Sequence, residues 1–358
     1  MSRTVVPAGY QSTLSLYETQ EAIALIKKIF QGNLSHALHL KRMTAPLFVD
    51  GASGLNDNLS GVERPVSFDM LETGEEAQVV HSLAKWKRLA LARYGFAVGE
   101  GIYTDMNAIR RDETLDNLHS VYVDQWDWEK VIAPEERTLD TLKDAMQRIV
   151  TAICVTLDLL KWQYPQVKTE LKREITFVTS QELEDLYPDK TGKERENLFV
   201  KEHKTVGILQ IGGKLKSGKP HDGRAPDYDD WELNGDIILW NEILDRAFEI
   251  SSMGIRVNKE SLLKQFAMLE DCISKDAELI SFDVKEGNNS IIEQFGDSDY
   301  GKTKYSKSAL FWMGYMYRYI SYTREQSTKF IMKIFDYKQM NDVYYSFHTQ
   351  DPEWCIKS

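Results

Sequence analysis

The sequence predicts an α+β fold, with an antiparallel sheet flanked by helices and a helical, aromatic-rich appendage at the C-terminus. Helical and strand-like patterns follow one another in mixed order, which disfavours a doubly wound parallel sheet. The 358 residues, of which 42% are apolar, suffice for one large or two ordinary domains. Fifteen aromatic side chains lie within residues 300–358, and this density favours a folded helical segment over a disordered tail.

Two helices and a strand are predicted in the first quarter of the chain. Residues Glu18 to Leu40 carry apolar side chains at spacings of three and four, which is typical of an amphipathic helix, and Thr19 is expected to cap it. A strand from Thr44 to Val49 and a loop over residues 51–58 should follow. The second helix is predicted from about Ser82 to Ala92.

The middle of the chain begins with an alternating segment, His119 to Trp128. Gln125 and Asp127 fall on one face of this predicted strand, with Trp126 on the other. Each face carries polar groups that a strand serving only the core would avoid. The longest regular segment, Thr138 to Trp162, predicts a helix that ends before Pro165. Further predicted elements are strands at Ile175–Val178, Val206–Ile211 and Asp236–Trp240 and a charged helix near Lys193–Lys204.

A change in composition divides the chain near residue 280. A turn is expected at residues 287–289, so residues 1–280 should form one domain and residues 281–358 a separate helical segment. The second part carries ten basic and ten acidic side chains, so the formal charge of -11 belongs to residues 1–280.

Charge and hydropathy exclude two classes of partner. An acidic body repels a phosphate backbone, which excludes nucleic acid and favours a small molecule. No apolar stretch approaches the roughly 20 residues that cross a bilayer, so no membrane span is expected. The first residues lack a leader pattern, and the three cysteines are too scattered for a disulfide framework. A cytoplasmic protein with reduced thiols is therefore expected.

The densest polar cluster holds five carboxylates within residues 222–236, at Asp222, Asp227, Asp229, Asp230 and Asp236. Such a cluster either binds a divalent cation, raises the pKa values of its own members, or is simply a solvated acidic loop. The sequence leaves these alternatives open.

A second cluster is cationic. Such residues ordinarily form a solvated helix face, and the members here are Lys85, Lys87, Arg88, Arg110 and Arg111. Two further cations, Arg224 and Arg256, lie within carboxylate-rich or small-residue runs, where a guanidinium can bind a carboxylate or phosphate with two hydrogen bonds. Together the two clusters suit a substrate that carries both groups.

Other motifs carry little weight. Residues 296–303 satisfy the phosphate-loop pattern, but Asp297 and Asp299 would direct negative charge at the phosphate. The seven histidines lack zinc-ligand spacing, and Cys154 lies on an apolar helix face.

Six runs in order resemble the ammonia-dependent asparagine synthetase (aspartate ammonia ligase) family over about residues 15–270. They are residues 57–61, 79–88, 99–104, 118–129, 224–231 and 248–256. The family is similar to the catalytic domain of class II aminoacyl-tRNA synthetases, and the resemblance implies a homodimer without a tRNA-binding domain. It also implies a two-step reaction: aspartate attacks ATP, with Mg2+, to give β-aspartyl-adenylate, and ammonia then displaces AMP to give asparagine. Residue 2 is Ser and no cysteine lies in the matched runs, which favours free ammonia over glutamine as the nitrogen donor.

The resemblance also implies roles for individual residues. Lys87 and Arg110 would neutralise the reacting carboxylate and α-phosphate, with Gln125 and Asp127 orienting substrate and ammonia. The amino acid would be bound by Asp57, Lys87, Gln125, Ser252 and Arg256. The nucleotide would be bound by Arg110, Ser120, Asp229 and Glu249, and Mg2+ by Asp236 and Glu249.

The C-terminal quarter departs from the family. Family members continue after a helix bearing Arg256 into a glycine-rich run ending in Gln-Ser-Arg, whose arginine binds ATP, and residues 257–358 contain no such run. A helix from Asn258 to Asp271 is expected instead.

Two functions follow from this departure. The first is a ligase in which Lys302, Lys304 or Arg318 replaces the missing arginine. The second is a ligase-derived regulatory module that senses aspartate, asparagine or adenylate and contacts an unknown protein through its tail, because an aromatic-rich, charge-neutral segment suits an interface. The tail also faintly resembles proteins of toxin-antitoxin loci.

Overall fold

Ten strands and six α-helices build the part of the chain that the computed structural model describes, residues 4–56 and 63–277. The helices are α1 (Leu16–Leu38), α2 (Ala84–Arg93), α3 (Leu139–Gln163), α4 (Ser180–Leu186), α5 (Gly192–His203) and α6 (Lys259–Ala277). The strands are β1 (Leu40–Arg42), β2 (Phe48–Asp50), β3 (Ser67–Asp69), β4 (Glu76–Val79), β5 (Gly101–Ile109), β6 (Tyr122–Lys130), β7 (Thr176–Thr179), β8 (Thr205–Leu209), β9 (Asp229–Asn241) and β10 (Arg246–Arg256). The predicted C-terminal appendage, the boundary near residue 280 and the phosphate-loop pattern lie outside the described residues.

The strands form three sheets, in the orders β1-β5-β6, β10-β9-β8-β7 and β2-β4-β3. Pairing is antiparallel except at one outer edge of each of the first two sheets, where β1 pairs with β5 and β7 with β8 in parallel. The prediction of mixed helices and sheets is therefore confirmed, and two parallel pairs are added to the antiparallel arrangement. Within the described residues, no helix is both long and apolar enough to span a bilayer.

One hydrophobic core underlies the β1-β5-β6 sheet and the β10-β9-β8-β7 sheet. Leu34 of α1 and Met146 of α3 are buried there with Ile237 of β9 and Met253 of β10. Trp126 and Trp128 of β6 pack against the same cluster, which leaves Gln125 and Asp127 on the other face as the alternation predicted. Long apolar stripes on α1 and α3 thus hold the two sheets beside each other.

The outer strands β6 and β10 belong to different sheets and lie on either side of a cleft. Before β6 begins, Asp116 accepts a hydrogen bond of 3.4 Å from Arg246, the first residue of β10. Near the end of β6, Glu129 pairs with Arg256, the last residue of β10. The two strands therefore run in the same direction. One ion pair links the segment before β6 to the start of β10, and the other joins the two strands near their ends.

Two local predictions were wrong. The cap of α1 is Ser15, whose side chain and that of Glu18 form a reciprocal capping box, whereas Thr19 donates its hydroxyl to the Ser15 carbonyl inside the first turn. Arg256 ends a strand rather than a helix, because β10 pairs with β9 over most of its length. Register shifts near Glu249 and Gly254 interrupt the alternation that would have indicated a strand.

Candidate active site

A cleft of about 2340 Å³ opens between β6 and β10 and extends over α2. Nine of the eleven predicted site residues line it, namely Lys87, Arg110, Ser120, Gln125, Asp127, Asp229, Glu249, Ser252 and Arg256. Of the other two, Asp236 is buried behind the wall and contacts Arg224, which does line the cleft. Asp57 lies outside the described residues. Nine residues from distant polar runs thus share one cavity, while their individual roles remain predictions.

Lys87 is a buried cation, not the exposed helix residue that its neighbours in sequence suggested. Its side chain is 1% exposed, since α2 turns this face towards β6. The Nζ atom forms a close ion pair with Asp127, donates to the Trp128 carbonyl at 2.9 Å and lies 3.8 Å from Glu129. A buried ammonium is tolerated only with such partners, so Lys87 and the acidic face of β6 form one unit.

Arg256 is held by two carboxylates and an aromatic ring. Its Nε and Nη2 atoms donate to Glu129 at 2.9 and 2.7 Å, and Nη1 donates to Asp229 at 2.7 Å. The guanidinium carbon lies 4.0 Å from the centre of the Tyr228 ring. Burial alone would lower the pKa of Arg256, yet Glu129, Tyr228 and Asp229 raise it well above the ordinary value. Arg256 is thus a permanent, fixed positive charge in the cleft.

Sequence reasoning missed Glu129, which is buried between Lys87 and Arg256. Burial alone would raise the pKa of Glu129, but Arg256, Lys87 and Arg88 together hold it below the ordinary value. The signal was present, because Glu129 continues the face of Gln125 and Asp127 by one more alternation.

Two further arginines face the cleft. Burial lowers the pKa of Arg88 to about 10, against the opposing effect of Glu129, so this guanidinium is charged at neutral pH. The Nε atom of Arg110 is buried and has no hydrogen-bond partner among the described residues. One donor of this guanidinium is therefore unsatisfied within the described residues.

The acidic cluster of residues 222–236 is divided among three arginines and does not form one cation site. Asp229 pairs with Arg256, whereas Asp230 pairs with Arg137 at 3.0 Å. Asp236 forms a close ion pair with Arg224. The solvated-loop interpretation is wrong for these three members, which are partly or fully buried.

The donor set suits a cation that is bound largely by its ligand. The described residues contain no group of three His, Cys, Asp or Glu side chains arranged to hold a metal. Burial, with the nearby charge of Glu249, raises the pKa of Asp236 to about 7 even though Arg224 opposes this. Asp236 and Glu249 thus act on each other electrostatically, which fits Mg2+, because this ion takes one or two protein carboxylates and completes its shell with water and phosphate.

The chain is similar to known proteins over most of its length. The family model for aspartate-ammonia ligase matches residues 17–290. An aspartate–ammonia ligase of Clostridium perfringens is 57% identical over 271 residues, covering 75% of this chain and 81% of the relative. An aspartate–ammonia ligase of Lactobacillus johnsonii is 57% identical over 263 residues, covering 73% and 78%.

Solved structures with a similar course of the chain are more distant. An asparaginyl-tRNA synthetase of Entamoeba histolytica in complex with asparaginyl-adenylate has a TM-score of 0.47 at 12% identity, covering 72% of this chain and 60% of that one. The Pyrococcus horikoshii asparaginyl-tRNA synthetase with asparaginyl-adenylate also has a TM-score of 0.47, at 15% identity, covering 70% and 58%. The chain thus spans less than two thirds of either synthetase.

The family match covers about three quarters of the chain, and the relatives at 57% identity cover 75% and 73% of it. The chain therefore belongs to the aspartate–ammonia ligase family.

Proposed function

We propose that the protein is an aspartate–ammonia ligase, which forms asparagine from aspartate, ATP and ammonia and releases AMP and pyrophosphate. The observation that carries this proposal is the convergence of fixed cations and carboxylates from α2, β6, β9 and β10 on one cleft. Membership of the family and the names of the relatives at 57% identity support it.

The first step joins two anions. An oxygen of the aspartate side-chain carboxylate bonds to the α-phosphorus of ATP, and the bond to the oxygen bridging the α- and β-phosphorus atoms breaks. Both reactants are negative, so cations that are fixed before they meet lower the barrier. Arg110 is suited to the α-phosphate because its Nε lacks a partner among the described residues. Lys87 is held too deeply to move far, and it provides positive charge from beneath the cleft.

Recognition of the amino acid requires groups of both signs. Arg256 and Ser252, which line the same wall on β10, are suited to the α-carboxylate of aspartate. Asp57 and the exposed Gln125 would bind the α-amino group. Opposite charges on the two sides of the cleft would orient aspartate with its side chain towards the nucleotide.

The second step transfers nitrogen. Ammonia attacks the acyl carbon of the adenylate, the bond between that carbon and the phosphate oxygen breaks, AMP departs with the electron pair, and the nitrogen releases one proton to solvent. Gln125 and Asp127 lie on the cleft face of β6 and would orient the incoming ammonia. Ser120, Asp229 and Glu249 would hold the nucleotide. Asp236 and Glu249 would hold Mg2+, which supplies charge neutralisation at the phosphates when bound.

The organisation of the whole chain is part of the proposal. Residues 1–280 would form the ligase unit of a cytoplasmic homodimer, and residues 281–358 a separate segment. The glycine-rich run with its ATP-binding arginine is missing from the sequence after Val257, and a tail cation such as Lys302, Lys304 or Arg318 would take its place.

A second function is favoured by one observation, which is that the family match stops at residue 290 and leaves the last 68 residues of this chain unmatched. A ligase-derived module would bind aspartate, asparagine or adenylate without turnover and contact a protein through its tail. It predicts stabilisation by asparagine with AMP in the absence of asparagine synthesis.

One assay separates the two functions. The full-length protein is incubated with aspartate, ATP, Mg2+ and ammonium, and asparagine and AMP are quantified together. The ligase predicts equal amounts of both products, dependence on aspartate, and little product when glutamine replaces ammonium. Stabilisation by asparagine and AMP without either product would replace the ligase with the regulatory module. If neither product forms and neither ligand stabilises the fold, both functions are wrong.

A further inference from the structure

The carboxylate of Glu129 is shared by two cations of the proposed site. It accepts two hydrogen bonds from Arg256 and lies 3.8 Å from the Nζ atom of Lys87. Asp127 is paired with Lys87 and Asp229 with Arg256, so each of these acids serves one cation. Glu129 alone among the described residues is paired with both cations, and the distance between them depends on it.

The pairing determines which side of Arg256 remains available. A guanidinium has five N–H donors, and the carboxylates of Glu129 and Asp229 occupy three of those on Arg256. Glu129 takes the edge formed by Nε and Nη2, so the remaining two donors are on the terminal nitrogens. These can receive a third carboxylate without releasing Glu129 or Asp229.

The backbone under Glu129 is fixed. Glu129 pairs with Ile102 in the antiparallel ladder of β5 and β6. A Cβ atom on Gly101 would lie 2.5 Å from the Glu129 carbonyl oxygen, so the strands approach as closely as a glycine allows. A side chain held in this way can define the positions of other groups.

We propose that Glu129 is a positioning residue, which aligns Arg256 and Lys87 with the amino-acid substrate and itself touches no reactant. This inference rests on the proposed function. It differs from a purely structural role in one respect, namely that shortening the side chain while keeping its charge should impair use of aspartate.

The experiment compares Glu129→Asp with Glu129→Gln in the full-length protein. Glu129→Asp shortens the side chain by one methylene and keeps its charge, whereas Glu129→Gln keeps its length and removes the charge. A displacement of about 1 Å can cost about 10²-fold in rate, so Glu129→Asp should lower kcat/KM for aspartate by that order. The change should lie mainly in the KM for aspartate, with the KM for ATP close to that of the wild type.

Glu184 provides a matched control. It is similarly buried and pairs with an arginine, Arg195, but neither residue lines the cleft. Glu184→Asp and Glu184→Gln should lower the melting temperature as the Glu129 variants do and leave both KM values unchanged. If Glu129→Gln does not fold, Glu129→Asp decides the question. Wild-type kinetics in Glu129→Asp, or an equal rise in the KM for aspartate in Glu184→Asp, would overturn the inference.

A binding measurement separates this inference from the proposed function. Calorimetric titration with aspartate gives Kd values for the wild type and for Glu129→Asp. A wild type that binds aspartate without turnover refutes the ligase, and a higher Kd in Glu129→Asp would still support the positioning role. Equal Kd values, or no binding to the wild type, would end it.

Discussion

Replacing Lys87 with methionine tests whether the charges beneath the cleft form one buried unit. Methionine keeps much of the side-chain volume and removes the ammonium, which leaves Asp127 and Glu129 without a shared cation. Breaking a buried ion pair costs about 3–5 kcal/mol. The Asp127 side chain is 21% exposed, so the lower end of this range, about 3 kcal/mol, is expected. With an unfolding entropy of about 2.1 cal/mol/K per residue, a chain of 358 residues should then lose about 4 °C in melting temperature.

The control is Lys27→Met, which breaks the ion pair of another carboxylate on β6. Lys27 donates to Asp124 at 2.7 Å, but the two side chains are 38% and 39% exposed. Such pairs contribute about 0–1 kcal/mol, so the melting temperature should fall by less than about 1.5 °C. Both variants are followed by circular dichroism during heating and by urea unfolding. Equal losses of stability in the two variants would show that the buried ion pair of Lys87 contributes no more to stability than the exposed one of Lys27.

Three further changes have distinct expected outcomes. Arg110→Ala should lower kcat for asparagine formation by about 10²-fold or more and leave the melting temperature nearly unchanged, because its Nε makes no hydrogen bond within the described residues. An unaltered kcat would exclude Arg110 from the reaction. Asp236 has a pKa of about 7 in the folded protein, above its ordinary value. Its contribution to stability is therefore present near pH 4 and lost as the pH rises through 7, and Asp236→Asn should remove this part of the pH dependence in urea unfolding. Gly32 lies inside α1, where an added Cβ meets no atom within 4 Å. Gly32→Ala should raise the free energy of unfolding by about 0.5–1 kcal/mol, and destabilisation would contradict the open space seen there.

Periodicity predicted the helices well and the long hairpin poorly. The apolar stripe placed α3 within one residue at each end, because that stripe repeats over the whole helix. Only Asp236–Trp240 was recognised of the 13 residues of β9. Its first half carries polar side chains that resemble a loop, yet Asn234 is buried and bonds to both the backbone N–H and C=O of Ile211 at 2.8 Å. A local pattern contains no information about that distant partner.

The site shows the same division between local and tertiary information. Ordered motifs identified Lys87, Asp127 and Arg256 as members of one pocket, and the cleft brings them together. The depth of Lys87 and the sharing of Glu129 could not be predicted, since both depend on how closely α2 and β10 approach β6. A lysine followed by an arginine on a helix is usually solvent-exposed, and only the acidic face opposite makes burial possible here.

The two ion pairs that join β6 to β10 differ in their access to water, and dissolved ions should affect them unequally. Arg246 is 44% exposed and its contact with Asp116 is long, whereas the side chains of Arg256 and Glu129 are 13% and 9% exposed. Mobile counterions screen exposed charges far more than buried ones. Raising the ionic strength should therefore loosen the cleft at the Arg246 end and leave the opposite end closed, so that the two strands splay about Arg256 as a pivot.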